Sequence, residues 1–175
     1  MSRARGFALW ITGLPASGKS SITAALVMKL DALGISAVVL ESDEMRNILT
    51  PEPTYSQEER DRFYREMVQV GALLARQGIN VIFDATANKR SYRDQARDLV
   101  QDFREVYVQC PIDICMQRDP KGIYARGASG GSATVPGMQA AYEPPISPDI
   151  IVDGRSGPEQ NADLIVSIIK KLHHI

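Results

Sequence analysis

Residues Gly13-Leu14-Pro15-Ala16-Ser17-Gly18-Lys19-Ser20 match the phosphate-cradling pattern G-x-x-x-x-G-K-[ST] at every fixed position. This constrains the fold, because such a loop works only between a strand and the start of a helix, where backbone N–H groups and the helix dipole face an anion. The flanks supply both elements. Phe7 to Thr12 is a short apolar, β-prone run, and Ser21 to Leu33 carries Ile22, Ala25, Leu26, Met28 and Leu30 at spacings that suit a buried helix. Gly13 and Gly18 are expected to permit the backbone angles that gather N–H groups around a phosphate. Lys19 adds a mobile positive charge, and the Ser20 hydroxyl suits Mg²⁺. Gly13, Leu14, Pro15, Ala16, Ser17, Gly18, Lys19, Ser20 and Ser21 are therefore the expected contacts to a nucleoside triphosphate, ATP, with Mg²⁺ as its companion.

The rest of the chain keeps a strand–helix rhythm. Gly34 ends the first helix, and residues 36–40 read as a second strand that delivers Glu41-Ser42-Asp43 to its tip. A short helix is expected from Glu44. Ser56-Gln57-Glu58-Glu59 has the form of a capping box opening a long helix to about Gln77, which Gly78 stops. Residues 80–84 and 104–108 read as strands, residues 92–100 and 112–118 as helices, residues 150–153 as a fifth strand, and residues 158–172 as a closing helix with Pro158 at its start. Alternation of this kind predicts an α/β fold, a three-layer sandwich with a parallel five-stranded core sheet. Residues 119–148 break the rhythm with many Gly and Pro and are expected to form a lid.

At 175 residues the chain suits one domain, residues 1–175. Lys plus Arg number 20 and Asp plus Glu 21, so no global basic field points to a nucleic-acid polymer. No segment has the length of a membrane span or the form of a signal peptide, and the expected location is the cytoplasm. Cys110 and Cys115 match neither a disulfide framework nor a four-ligand zinc site and read as reduced, structural residues.

In a doubly wound sheet, ligands bind beyond the carboxyl ends of the strands, so the loop, Asp43 and Asp84 should share one crevice. Phosphoryl transfer from ATP needs a phosphate cradle, Mg²⁺, a carboxylate facing the acceptor hydroxyl and cations over the developing charge. Asp43 suits a base or a Mg²⁺-water ligand, and equally a helix N-cap. Asp84 ends an apolar strand, as a Mg²⁺-associated acid or as a turn residue. Arg46, Arg60 and Arg65 follow strand two on helices. Arg118, Lys121 and Arg126 stand at the start of the irregular segment, where a closing lid brings positive charge and excludes water.

The pattern resembles the adenylylsulfate (APS) kinases, which phosphorylate the 3′-hydroxyl of adenosine 5′-phosphosulfate with MgATP. The matching pieces are the phosphate loop, Glu41 to Arg46, Tyr55-Ser56-Gln57-Glu58-Glu59-Arg60, Arg118-Asp119-Pro120-Lys121-Gly122-Ile123-Tyr124, and Tyr142-Glu143-Pro144-Pro145. The resemblance implies that Lys19, Asp43 and Lys121 are catalytic and that Arg118 contacts ATP. It also implies that Asp43, Arg46, Tyr55, Arg60 and Lys121 bind the acceptor, with Tyr55 stacking on its base, and that Ser20 and Asp43 hold Mg²⁺, directly or through water. A homodimer is implied as well. The chain departs from the family at Phe63, where an Asn is usual, at Ala87, where the family has a serine, and at Val135, in place of an aromatic. Two other readings remain: a related kinase acting on another small hydroxyl-bearing metabolite, and a nucleotide-binding regulatory ATPase.

Overall fold

The computed structural model describes residues 5–54, 56–130 and 134–173. The chain runs β1 (Ala8–Thr12), α1 (Lys19–Ala32), β2 (Ala37–Glu41), α2 (Ser42–Leu49), α3 (Gln57–Arg76), β3 (Asn80–Asp84), α4 (Arg90–Leu99), β4 (Phe103–Gln109), α5 (Ile112–Arg118), α6 (Ile123–Ala128), β5 (Ile150–Asp153) and α7 (Pro158–His173). All strand pairs are parallel, in the order β2-β3-β1-β4-β5. From β1 the chain moves outward to β2, returns through β3, and then crosses β1 to reach β4. That reversal marks the crevice at which sheets of this type bind ligands.

β1 lies at the centre and every one of its residues is buried. Its period of two sends Ala8 and Trp10 into one core and Leu9 and Ile11 into the other. The first core holds Phe63, Tyr64, Met67 and Val68 of α3, with Tyr92 and Ala96 of α4. Trp10 stacks on Phe83 with ring centroids 4.6 Å apart, and its indole N–H donates to the Ala85 carbonyl at 3.1 Å. The Phe83 ring lies directly on α3, where a Cβ at Gly71 would come within 2.1 Å of its Cζ, so only glycine admits this approach. The second core joins Ile22, Leu26 and Leu30 of α1 to Ala162, Ile165 and Ile169 of α7. Helices thus cover both faces of the sheet, giving the expected three layers. Met28, expected on the buried side of α1, is exposed, because Leu26 and Leu30 occupy the stripe that faces the sheet.

The helix starts follow their capping chemistry with one change. Ser56 Oγ accepts from the Glu59 N–H at 3.1 Å, as a capping box requires. Glu59 does not reach back to Ser56; its Oε2 accepts instead from the Thr54 hydroxyl at 2.6 Å and from the Thr54 N–H. The segment between α5 and β5 is not wholly irregular, since α6 lies within it. No helix among the described residues is long and apolar enough to cross a membrane.

Candidate active site

Strand register brings the acids to the sheet's carboxyl edge. Ile11 of β1 and Glu41 of β2 both pair with Asp84 of β3, so the phosphate loop leaves β1 at the level where Glu41 and Asp84 end their strands. A cavity of about 460 Å³ opens there, within the range of small-molecule sites. Lys19, Ser20, Ser21, Glu41, Asp43 and Asp84 line it from the loop, the strand ends and the first turn of α2, Arg118 from the end of α5, and Lys121 from the start of the 119–148 segment.

Within the loop, Gly18 is left-handed at φ 102° and Ala16 adopts φ 61°. Gly13, expected to supply an unusual backbone angle, serves a different purpose. A Cβ there would lie 2.7 Å from both Ser17 Oγ and the Val108 carbonyl oxygen, so close packing against β4 is what demands glycine. Ser17 Oγ is buried and has no hydrogen-bond partner among the described residues. Lys19 is 9% exposed, and its ammonium donates to the carbonyls of Gly13 at 3.2 Å and Leu14 at 2.9 Å. Burial lowers its pKa from the ordinary value, against the opposing pull of Asp84.

Asp84 is 2% exposed, and burial raises its pKa; the charge of Lys19 and the hydroxyl of Ser20 pull the other way. Asp43 is not the N-cap of α2. The helix starts at Ser42, and the Glu41 carboxylate caps it by accepting from the Asp43 and Glu44 N–H groups at 3.0 and 2.9 Å. Asp43 is therefore left in the first turn with its side chain at the cavity mouth. There it meets Lys121 at 2.5 Å, both side chains more than half exposed. Lys121 has its pKa raised, chiefly by that hydrogen bond.

The turn that carries Lys121 is closed by hydrogen bonds to Asp119. Asp119 accepts from the N–H groups of Ile123 at 2.7 Å and Ala125 at 2.9 Å, and its own carbonyl accepts from the Gly122 N–H at 2.9 Å, with Gly122 left-handed at φ 63°. Tyr124, buried on α6, donates its hydroxyl to the Pro15 carbonyl at 2.9 Å and so fastens this segment to the phosphate loop. Arg118 donates to the Gly154 carbonyl at 2.7 Å. Gly154, Ser156 and Pro158 also line the cavity. Their part was hidden in the sequence, because nothing local marks a β5–α7 turn as the neighbour of a loop 140 residues earlier. Tyr124 belongs to the Arg118–Tyr124 motif, but its contact with Pro15 joins residues 109 positions apart, which no local pattern marks.

The arginines divide. Arg46 and Arg60 do not line the cavity. The Arg46 guanidinium lies 4.2 Å from the Phe63 ring centroid and 3.9 Å from Glu59 Oε1, and Arg60 donates to the Thr134 carbonyl at 3.4 Å. Arg65 is exposed on α3. Tyr55 lies outside the described residues. Of the positions that differ from the resembled family, Phe63 and Ala87 are fully buried, with Ala87 at φ 42°, and Val135 packs with Cys110, Cys115 and Tyr124. Both cysteines are free and buried.

The far end of the 119–148 segment returns to the sheet through Arg93. This arginine is 1% exposed, pairs with Glu105 at 2.6 Å, and donates to the carbonyls of Ala87 and Glu143, the latter at 2.7 Å. Tyr142 beside it lies 3.2 Å from the Thr12 hydroxyl at the end of β1. The donor set around the cavity is all oxygen, a hydroxyl and carboxylates beside a phosphate cradle, and this fits Mg²⁺ carried in on a nucleotide.

The family model for adenylylsulphate kinase matches residues 5–153. Adenylyl-sulfate kinase of Gloeothece citriformis is 37% identical over 171 residues, 98% of this chain and 96% of that protein. The enzyme of the same name from Microcystis aeruginosa is 38% identical over 168 residues, covering 96% and 92%. Among solved structures, the APS kinase of Mycobacterium tuberculosis in complex with AMPPNP and APS superposes with a TM-score of 0.88 at 32% identity, covering 95% of this chain and 98% of that one. Agreement in sequence and backbone over nearly the full length means that this chain belongs to the adenylylsulphate kinase family.

Proposed function

We propose that the protein is an ATP-dependent adenylylsulfate kinase, one catalytic domain that converts APS to 3′-phosphoadenosine 5′-phosphosulfate. The observation that carries this reading is the meeting, at one cavity, of the phosphate loop with the Asp43–Lys121 bridge. It is supported by the likeness to an APS kinase solved with both AMPPNP and APS. In the reaction, the 3′-hydroxyl oxygen forms a bond to the γ-phosphorus as the bond from that phosphorus to the β,γ-bridging oxygen breaks; ADP leaves and the hydroxyl proton departs to a base.

The chain's own groups divide this work. The backbone N–H groups of the loop between Gly13 and Ser21, other than at Pro15, which has none, bind the triphosphate, and Lys19 exchanges its carbonyl partners for phosphate oxygens. Ser20 and Asp43 would hold Mg²⁺, directly or through water, and Asp84 lines the same cavity. That ion, when bound, neutralises charge on the transferring phosphoryl group. Asp43 orients the acceptor hydroxyl and takes its proton, and Lys121 stabilises the charge that develops beside it. Arg118 contacts ATP, while Arg46, Arg60 and Tyr55 bind the acceptor. We further propose a homodimer and a cytoplasmic location.

Coupled turnover with mass detection of the product, run on APS beside a panel of other hydroxyl-bearing metabolites, tests the proposal. Rapid formation of the 3′-phosphorylated product from APS is expected. Negligible product from APS with fast consumption of another acceptor would replace it by the second reading, a related kinase of different specificity. The departures from the family at Ala87 and Val135, both buried, are the observation that favours that alternative.

A further inference from the structure

Arg46 stands one helical turn from Asp43 on α2, the spacing at which helix residues share a face, so the two side chains leave the helix on the same side although only Asp43 lines the cavity. A flexible arginine at that place binds an anion poorly unless its guanidinium is held, because each rotatable bond frozen on binding costs entropy. Here it is held by α3. Glu59 and Phe63 are four residues apart on that helix and both are buried. The Glu59 carboxylate lies 3.9 Å from one edge of the guanidinium, and the Phe63 ring lies under it with its centroid at 4.2 Å. Phe63 is itself fully buried and makes an edge-on contact with Tyr64, ring centroids 5.1 Å apart. The Glu59 carboxylate is anchored in turn by the Thr54 hydroxyl. Arg46 keeps 23% of its side chain exposed.

We propose that Phe63 is a positioning residue for the acceptor: its ring, with Glu59, holds the Arg46 guanidinium in the orientation that receives the anionic phosphosulfate group. This rests on the reading of APS as the acceptor. It gives Phe63 a task that the Asn usual at this position cannot perform, since an amide offers hydrogen bonds but no aromatic face. The ring touches Arg46 and need not touch the substrate. Specificity for the acceptor then depends on a cation–π contact in this chain.

The test is a double-mutant cycle on KM for APS and KM for ATP, using Phe63→Leu, Phe63→Trp and Arg46→Ala. Removing the ring in F63L is expected to raise KM for APS between about twofold and about thirtyfold, the range of exposed to desolvated cation–π contacts, with KM for ATP unchanged. F63W restores an aromatic face and should recover much of the loss. In the R46A background, F63L should add nothing to KM for APS. F63L that leaves KM for APS at the wild-type value, or that raises it by the same factor with and without Arg46, overturns the proposal. A rise in both KM values together, which F63W does not reverse, also overturns it, since that is the behaviour of a plain packing residue. If the wild-type chain forms no phosphorylated product from APS, the acceptor assignment itself fails, an outcome separate from independence of Phe63 in a chain that does turn APS over.

Discussion

Replacing Arg93 with Met should destabilise the protein more than any exposed-charge substitution, and the structure states why. The guanidinium is 1% exposed and leaves behind four partners: the Glu105 carboxylate at 2.6 Å and the carbonyls of Glu143 at 2.7 Å, Lys89 at 3.4 Å and Ala87. Among the described residues, Glu105, 9% exposed, would keep only Arg97 at 3.6 Å as an ion-pair partner, a side chain already 39% exposed and shared with Asp149. Breaking one side of a buried pair costs about 3–5 kcal/mol, because the remaining charge stays out of water without compensation. For a chain of this size that corresponds to a fall in Tm of roughly 6–20 °C. E105Q added to R93M removes the stranded charge and should regain about 1–3 kcal/mol, although E105Q alone is destabilising. Urea unfolding of the four proteins in the cycle measures all of these terms. An R93M variant within 1 kcal/mol of wild type by this rule, or an E105Q change that is equally harmful in both backgrounds, would refute the account. A consequence for activity follows, since Arg93 holds the Glu143 end of the segment that returns to Thr12 and the phosphate loop.

Asp43→Asn should keep KM for ATP near wild type while lowering kcat by a factor on the order of 100 or more in a coupled assay; an unchanged kcat moves the base to Asp84. Gly13→Ala should raise KM for ATP and lower Tm, because the new methyl meets the Val108 carbonyl at 2.7 Å. Gly34→Ala meets nothing within 4 Å but sits at φ 74°, so it should lower Tm and leave KM for ATP alone. Asp84 gives a pH signature. Burial, helped by Glu41, raises its pKa above the usual 3.8, so between 3.8 and the raised value the folded state holds more protons than the unfolded one. Stability therefore falls as pH rises through that window. Asp84→Asn should flatten this part of the stability profile, measured by urea unfolding from acid to neutral pH, while slowing turnover.

The local signals were enough for the elements other than α6 and for half of the site. Hydrophobic period, Gly stops and the Ser56 cap placed the helices and strands, since each depends on residues within a turn of one another. The phosphate loop declared itself for the same reason: cradle, cation and hydroxyl lie within eight consecutive residues. Asp43 and Lys121 were both legible as charged residues at suitable places, but not their contact across 78 positions. What tertiary structure decided were the distances between segments far apart in the chain. Strand register levelled Glu41 with Asp84, and made Glu41 rather than Asp43 the cap of α2. Close approach of β4, not backbone angle, explained Gly13. In sequence Phe63 is only a departure from the usual Asn, and packing makes it a surface for Arg46. Local chemistry is written in neighbouring residues, whereas burial and approach are properties of the whole packed chain, which no short window of sequence contains.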